Sequence, residues 1–437
     1  MQPDHGGGPS PAAWTRVARA VLWPLAVGSL LHIAVRSSLG TAADLAILWR
    51  GGASLATGGP LYDSQLEFIY PPLAGWLLAP LGLLSFRNAV LVVVVGGLAA
   101  AVAATVLLLR LVGVRADSPV LPGVLLLLAN SRPLVGLLAL GNIDTILLLA
   151  ESAVIALLLG RRDIAAGTLL GAVCAVKPTL LPVLVALLIL RRGRALSAAA
   201  VSGVVLTGVG LLTVPDRDVF FTSVLPLLAG GNREQLAPFD RSIHGAALEL
   251  GVPAWLAAAL RVIAFGLACW VAWRRQSGAL APLEVVPLLM LGTLLASSFT
   301  WANYGIYLLP LLVTAGRRDS LVRSWPAWAG VYLFATRDPW HLEDLAELPD
   351  TLMRLLPLWG WLLLLGACVA AAHRSGPPRA AADPARGADA VVPAGVSRAT
   401  PPVPAVCAGP NRRGSTSVRA REEPGDECTC RRAPCRR

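Results

Sequence analysis

Lysine is almost missing from this chain of 437 residues: Lys177 stands alone, and arginine supplies every other fixed cationic side chain. Charge of either sign is scarce too. Asp, Glu, Lys and Arg make up 14% of the residues, where a soluble domain carries about a quarter. With 55% hydrophobic residues and a mean hydropathy of +0.65, that deficit excludes an ordinary soluble fold. The net charge of +11 comes from short arginine clusters between apolar runs, which excludes a nucleic-acid-binding face and fits the charged ends of membrane loops. No disulfide framework is evident among the seven cysteines. Cys174, Cys269 and Cys368 sit in apolar runs as small hydrophobes, and Cys407, Cys428, Cys430 and Cys435 lack the spacing of a zinc site. There is no Gly-rich phosphate loop, no HExxH and no Ser-His-Asp arrangement, so neither an ATP or nucleotide-sugar site nor a metal or other cofactor is expected.

What the chain has in abundance is apolar sequence in windows of about 18 to 22 residues, the length needed to cross a hydrocarbon core of about 30 Å. The predicted class is all-α, a polytopic helical membrane protein. Spans are expected near 18–36, 89–110, 119–139, 143–160, 195–214, 253–274, 281–297, 303–316, 323–336 and 354–372. A pair of short helices, broken at "VKPT", is expected between 164 and 191. The first run reads as a span and not as a cleaved signal peptide. Counting the broken pair as two gives roughly twelve spans. The arginines at 16, 19, 110, 115, 161, 162, 191–194, 274, 275, 317, 318 and 323 then share one face, taken as cytoplasmic, with both termini on it. Residues 1–17 form a cytoplasmic segment, 18–372 the membrane domain, and 373–437 a Pro/Ala/Gly/Arg-rich tail expected to be disordered.

The opposite face collects the polar chemistry. Its longest early piece, 37–88, contains "TAADLAILWRGGASLATGGPLYDSQLEFIYPPLAGWLLAP", far more than a connector needs. "DLAILWRGGASLATGG" reads as a short amphipathic helix with Asp44 in its first turn, where a carboxylate also suits the helix dipole. Glycines and Pro60 stop it, and "YPPLAGWLLAP" restarts as a proline-capped apolar segment. Lys177 lies between two half-helices beside Pro178; a compact ammonium suits a phosphate, and snorkelling to the interface is the rival reading. "NREQLAPFDRSIHG" offers Arg233, Arg241 and His244 as groups for an anion or a hydroxylated ligand, against a plain solvated loop. "SSFTWANYGIY" reads equally as a site or as interhelical hydrogen-bond glue. An acidic loop at 337–353 shares this face.

Taken together these stretches resemble glycosyltransferase family 87, membrane enzymes of the GT-C type that use polyprenyl-phosphate-mannose, including actinobacterial α-(1,2)-mannosyltransferases. Asp44, "YD" at Tyr62-Asp63 and "FIYPPLAGWLLAPLGLL" at 68–84 resemble the family's first outer loop. "GNID" at 141–144, with Asn142 and Asp144, is similar to its Gly-Gln/Asn-x-Asn/Asp element, and "AVKPT" at 175–179 to its Lys-Pro element. "DRSIHG", with Asp240 and Ser242, resembles its Asn-x-Ser-x-x-Gly stretch, and "SSFTWANYGIYLLPLL" occupies the place of its Ser-x-x-Ser/Thr-Trp-x-His-His segment. The order covers most of 18–372. The family's asparagine is Asp240 here, and its paired histidines are Asn303 and Tyr304.

The resemblance implies a GT-C fold with a catalytic first extracytoplasmic loop at 37–88 and an inverting transfer of a sugar, mannose by the family pattern. The donor would be a polyprenyl phosphate and the acceptor a glycolipid or glycan hydroxyl. Asp44 would be the general base. Lys177, Arg241 and His244 would neutralise the leaving phosphate, and Tyr62, Tyr70, Trp301, Asn303 and Tyr304 would contact sugar or prenyl chain. Asn142, Asp144, Asp240 and Ser242 would build the acceptor side or hold the site. Where the paired histidines are missing, Arg241 or His244 takes their place, or the donor differs. The partners implied are donor, acceptor and membrane lipid, without nucleic acid, and the location is the cell membrane. The alternatives are a transporter or flippase of lipid-linked sugars, a GT-C enzyme using another donor such as polyprenyl-phospho-arabinose, and a member that has lost activity. A transporter would show inverted repeats with matched broken helices, and the break at Lys177 has no evident partner.

Overall fold

A computed structural model describes residues 11–62, 67–228, 239–336 and 354–374. Asp63, Arg233, the acidic stretch 337–353 and the cysteine-bearing tail lie outside the described residues. The described residues form one compact unit. It is helical, with no strand among the described residues. The chain order is α1 (Pro11–Ser38), α2 (Ala43–Ala56), α3 (Pro72–Gly82), α4 (Phe86–Leu111), α5 (Val120–Ala129), α6 (Arg132–Leu140), α7 (Asp144–Leu159), α8 (Asp163–Val176) and α9 (Pro182–Ile189). There follow α10 (Gly193–Thr213), the short α11 (Arg217–Val219) and α12 (Leu225–Leu228), α13 (Ile243–Glu249), α14 (Ala254–Arg275), α15 (Ala281–Ala296), α16 (Leu309–Leu312), α17 (Trp325–Ala335) and α18 (Leu356–Arg374).

Among the described residues, five helices are long and apolar enough to cross a membrane: Trp14–Ser38 within α1, α4, α10, α14 and α18. The pair α5 and α6, bent by 56°, makes a sixth if taken as one span. The expectation of roughly twelve is therefore not met by helix length. Several expected spans are interrupted: 119–139 bends at Asn130–Ser131, and 303–316 begins as a 3-10 helix, Ala302–Leu308. Others are short. α15 has 16 residues, about 24 Å at 1.5 Å per residue, less than the hydrocarbon thickness. It is nonetheless the central post, since every residue but Thr293 and Ala296 is buried, as an all-round apolar helix requires. Its one acid near the start, Glu284, takes a two-pronged pair from Arg275 at 2.7 and 2.9 Å. By contrast α1, α10 and α14 point Val21, Leu31, Val204, Leu212 and Val262 outward, the surface a lipid solvent accepts.

Helices surrounded by lipid gain little from hydrophobic association, so close backbone approach through small residues does the packing. Gly167 and Gly171 of α8 meet Ala195, Ala199 and Ser202 of α10 with no room for a Cβ. The 37–88 stretch is built the same way. It is an ordered hairpin of α2 and α3 instead of an open loop, and a Cβ on Gly52 would sit 2.7 Å from the Leu78 carbonyl oxygen. Trp49 Nε1 donates to Leu84 O at 3.0 Å, and Arg50 pairs with Glu67, fastening both ends. The amphipathic helix and the proline-capped restart expected there correspond to α2 and α3.

One buried group has no such explanation. Glu151 of α7 is 1% exposed, and neither carboxyl oxygen has a hydrogen-bond partner among the described residues. Glu151→Leu is expected to raise the unfolding free energy in detergent by about 1–3 kcal/mol, the cost of an unsatisfied buried polar group. A lower unfolding temperature for that variant would show that the carboxyl is stabilising.

Candidate active site

Asp44 owes its position to a local oddity of the chain. Ala42, fully buried, adopts a left-handed backbone (φ 45°, ψ 50°) that turns the end of α1 into α2. Gly141 (φ 66°) lies against it, and a Cβ there would crowd Leu45 and Ala42. The strain of a left-handed alanine is of the kind tolerated where the surroundings over-determine a functional turn. Asp44 then stands in the first turn of α2, half-buried, and the next element in space is the Gly141–Asp144 turn that starts α7.

A hydrogen-bonded chain runs from it. Asn142 Nδ2 donates to Asp44 Oδ2 at 2.7 Å. Asn142 Oδ1 accepts from the Asp144 amide at 3.0 Å and from Lys177 Nζ at 3.4 Å. Because both neighbours of that oxygen are donors, the amide has one sensible orientation, with its NH2 on Asp44. Lys177 Nζ pairs with Asp144 Oδ1 at 2.7 Å, and Tyr307 donates to the same oxygen at 2.8 Å. The ammonium also lies 5.3 Å from the Tyr70 ring centroid and 5.4 Å from that of Tyr304, within cation–π range.

The break between the half-helices explains how Lys177 gets there. Lys177 is extended (φ −148°, ψ 120°), as a residue before proline prefers, and so leaves the α8 helix axis. Lys177 is 7% exposed and Asp144 is fully buried. The ammonium that was expected to meet a phosphate is thus directed at Asp144 and Asn142.

Two carboxylates share one ammonium, and Asp144 takes it. Asp44 is left with a neutral amide donor. Burial pushes its carboxyl above the usual carboxylate range; the Asn142 hydrogen bond and the Lys177 charge act the other way, and Asp144 adds to the rise. A half-exposed carboxylate of raised basicity, held in one orientation, is equipped to take a proton from a hydroxyl.

The remaining sequence candidates divide into two groups. Tyr70 and Tyr304 join the Lys177 cluster, and Asn303 lies beside it, wedged where a Cβ on Gly136 would overlap its amide. Tyr62 supports the cluster from behind, donating to Tyr70 O at 3.0 Å, while Asp216 accepts from the Leu61 and Tyr62 amides at 3.0 and 2.6 Å. The second group forms its own clamp. Asp240, 3% exposed, accepts from the Ser242 amide, the Ser242 hydroxyl and the Thr300 amide at 2.8, 3.1 and 2.9 Å, tying 240–245 to 297–301. Arg241, half-buried, donates from its backbone to Thr300 O at 2.8 Å, within electrostatic reach of Arg132, Arg354 and Glu249; burial lowers its affinity for the proton. Trp301 stacks on Phe239 at 5.4 Å, and His244 sits half-buried on α13. Sequence reasoning missed Tyr307 and Asp216. Tyr307 follows Tyr304 by three residues, a spacing that places both on one side of a 3-10 turn. Among the described residues no group of His, Cys, Asp and Glu is arranged to hold a metal ion.

Known proteins resemble this chain over most of its length. The model of glycosyltransferase family 87 matches residues 68–298. An alpha-(1->3)-arabinofuranosyltransferase of Mycobacterium tuberculosis is 33% identical over 376 residues, 82% of this chain and 85% of the relative. Its counterpart from Mycolicibacterium smegmatis is 28% identical over 368 residues, 80% and 84% of the two chains. A polyprenol-phosphate-mannose-dependent alpha-(1-2)-phosphatidylinositol pentamannoside mannosyltransferase of M. tuberculosis is 30% identical over 356 residues, 76% and 80%. No solved structure matches.

Lys177→Met should strand the Asp144 carboxylate in the interior and cost about 3–5 kcal/mol of stability. Adding Asp144→Asn should restore a large part of that loss, measured by chemical unfolding of the detergent-solubilised protein. Additive losses in the double variant would rule the pair out as a coupled unit.

Proposed function

The chain belongs to glycosyltransferase family 87, and from that membership and the Asp44 geometry we propose that it transfers arabinofuranose from a polyprenyl-phosphate donor to a hydroxyl of a glycolipid or glycan. That it is a membrane glycosyltransferase follows from its family and its apolar helices. The sugar is the finer step. Mannose is the family pattern, but relatives at 33% and 28% identity over some four fifths of the chain carry arabinofuranosyl names. Asn303 and Tyr304, standing where the pattern has paired histidines, are consistent with a changed donor. The second reading, mannose transfer, rests on the relative at 30% identity.

The observation that carries the proposal is the Asn142–Asp44 hydrogen bond, which aims one carboxylate oxygen and leaves the other for a hydroxyl. In the reaction the acceptor oxygen forms a bond to the anomeric carbon while Asp44 takes its proton. The bond from that carbon to the phosphate oxygen breaks on the opposite face, and its electron pair leaves with the polyprenyl phosphate. Inversion of a β-linked donor yields an α product. Lys177 acts through Asn142 and Asp144, as a positioning residue. Arg241 and His244 are assigned to the leaving phosphate. An apolar groove of about 360 Å³ lined by Ile243, Ala247, Leu267 and Leu358 begins one residue from His244 and suits a prenyl chain. This site faces the extracytoplasmic side, with both termini in the cytoplasm, by the arginine distribution.

Membranes containing the protein, supplied with polyprenyl-phosphate-linked arabinofuranose or mannose and a set of glycolipid acceptors, should transfer arabinose. Asp44→Asn should lower transfer by about 10²- to 10⁴-fold with the fold intact. Transfer of mannose alone would favour the second reading, and Asp44→Asn at full activity would remove the base.

A further inference from the structure

The C-terminal end of α10 grips the segment that carries Tyr70, a contact with no part in the chemistry above. Asp216 follows α10 by three residues. Each of its carboxylate oxygens accepts a backbone amide, from Leu61 at 3.0 Å and from Tyr62 at 2.6 Å. Hydrogen bonds to an ionised acceptor are the strong ones. A π-helical turn beyond it, Phe220–Val224, adds the Phe220 ring to that of Tyr62 at 6.0 Å. Such turns are rare and occur often at functional sites. At the other end of the segment Gly210 of α10 lies against α3, where a Cβ would come within 2.7 Å of the Leu73 amide nitrogen. One helix end thus fixes residues 61–62 and residue 73, with Tyr70 between them.

Tyr62 passes the restraint on. Its hydroxyl donates to the Tyr70 carbonyl at 3.0 Å. Burial, and then the Asp216 charge, push the Tyr62 phenol above its usual value, so it remains a donor. Tyr70 precedes Pro71, which confines its backbone to the extended region, so with the carbonyl held the ring has little freedom. That ring packs against Phe68 at 5.7 Å and lies over the Lys177 ammonium, 5.3 Å from Nζ. The same α10 holds α8, the helix that ends at Lys177, through the glycine contacts described above. Ring and ammonium therefore take their relative position from one helix.

We infer that Asp216 is a positioning residue for the transfer reaction: through Tyr62 it keeps the Tyr70 ring over the Lys177 ammonium, within reach of Asp44. The inference rests on the glycosyl-transfer reading for the use made of Asp44. Among the described residues, the charged and titratable groups acting on Asp44 are Lys177 of α8, Asp144 of α7, Tyr70 ahead of α3 and Tyr304 of the 3-10 segment. Asn142 is its hydrogen-bond partner. With Tyr70 in place a ring face covers one side of the ammonium, whose hydrogen bonds go to Asp144 and Asn142. With Tyr70 released, water enters beside Lys177 and Asp44, and the ammonium is open to a second carboxylate. Both changes favour the ionised form of Asp44 and make it a weaker base.

Lys177 is the one lysine of the chain, so its acetylation reads the cover directly. The full-length protein in detergent is treated with acetic anhydride, and the peptide containing residue 177 is followed by mass spectrometry. In the wild type that lysine should react slowly. Asp216→Asn keeps the shape but turns an NH2 toward one of the two amides. It should speed acetylation about tenfold, the order of one lost charge-assisted hydrogen bond. Tyr62→Phe leaves the Asp216 contact whole and removes only the hydroxyl relay, so it should act in the same direction even where Asp216→Asn folds poorly. Asp216→Glu, which keeps a carboxylate, should recover part of the protection. In sugar-transfer assays across pH, the acidic limb should move to lower pH in Asp216→Asn and in Tyr62→Phe, which a loss of stability alone does not produce. Wild-type acetylation rates in the folded variants, or a limb that stays in place, would overturn the proposal and leave Asp216 as a loop staple. Absence of transfer by the wild type from any polyprenyl-phosphate donor would sink the proposed function instead. The acetylation rates would still decide whether Asp216 holds Tyr70 on Lys177.

Discussion

Lys177 is held between Asp144 and Asn142 in the interior, and the arrangement around Asp44 follows from that contact. The ammonium neutralises Asp144, which is fully buried and whose second oxygen has no hydrogen-bond partner among the described residues. It also fixes which way the Asn142 amide points, and through the amide it fixes Asp44. One cation for two carboxylates leaves the excess negative charge on the residue that is still accessible. A buried ion pair of this sort adds little net stability, because desolvation offsets most of the attraction. What it gives is a defined geometry, at the cost of strong sensitivity to losing either partner. The tyrosines at 70, 304 and 307 close the surroundings, two with their ring faces and one with a hydroxyl.

The scaffold explains how such a cluster survives within a bundle of apolar helices. Elements that contribute a polar group do so at breaks: Lys177 at the end of α8, Asn142 in the turn before α7, Asp44 after the left-handed Ala42, and Tyr304 in a 3-10 segment. Irregular backbone at these points is tolerated where protein, and not lipid, surrounds it. The long helices carry no part of the cluster. They supply the outer wall, and the fully buried α15 supplies the axis against which the broken elements rest.

Much of this was legible in the sequence, for identifiable reasons. The helical class follows from composition and run length, and the α2–α3 hairpin from Pro/Gly punctuation around an amphipathic stretch. The singular lysine before a proline marked the break that matters. What it bonds was not legible, since spacing along the chain cannot say whether an ammonium faces a phosphate or a buried aspartate. Asp144 sat in a recognised element, yet its pairing with a residue 33 positions away is a tertiary fact. Helix length does not confirm the count of roughly twelve spans among the described residues, because hydropathy reports apolar length and is blind to short helices and to a 56° turn at Asn130–Ser131.

The account stands on Asp44 as a base whose basicity is set by burial and restrained by Asn142. Its most direct test is the pH dependence of sugar transfer in the wild type and in Asn142→Ala. Activity should fall on acidification along a limb above the ordinary carboxylate value of 3.8, because burial raises the carboxyl and only its ionised form accepts the proton. Removing Asn142 takes away a hydrogen bond to the ionised form, so the limb should move to higher pH. A limb that stays in place, or no acidic limb traceable to position 44, would contradict the account.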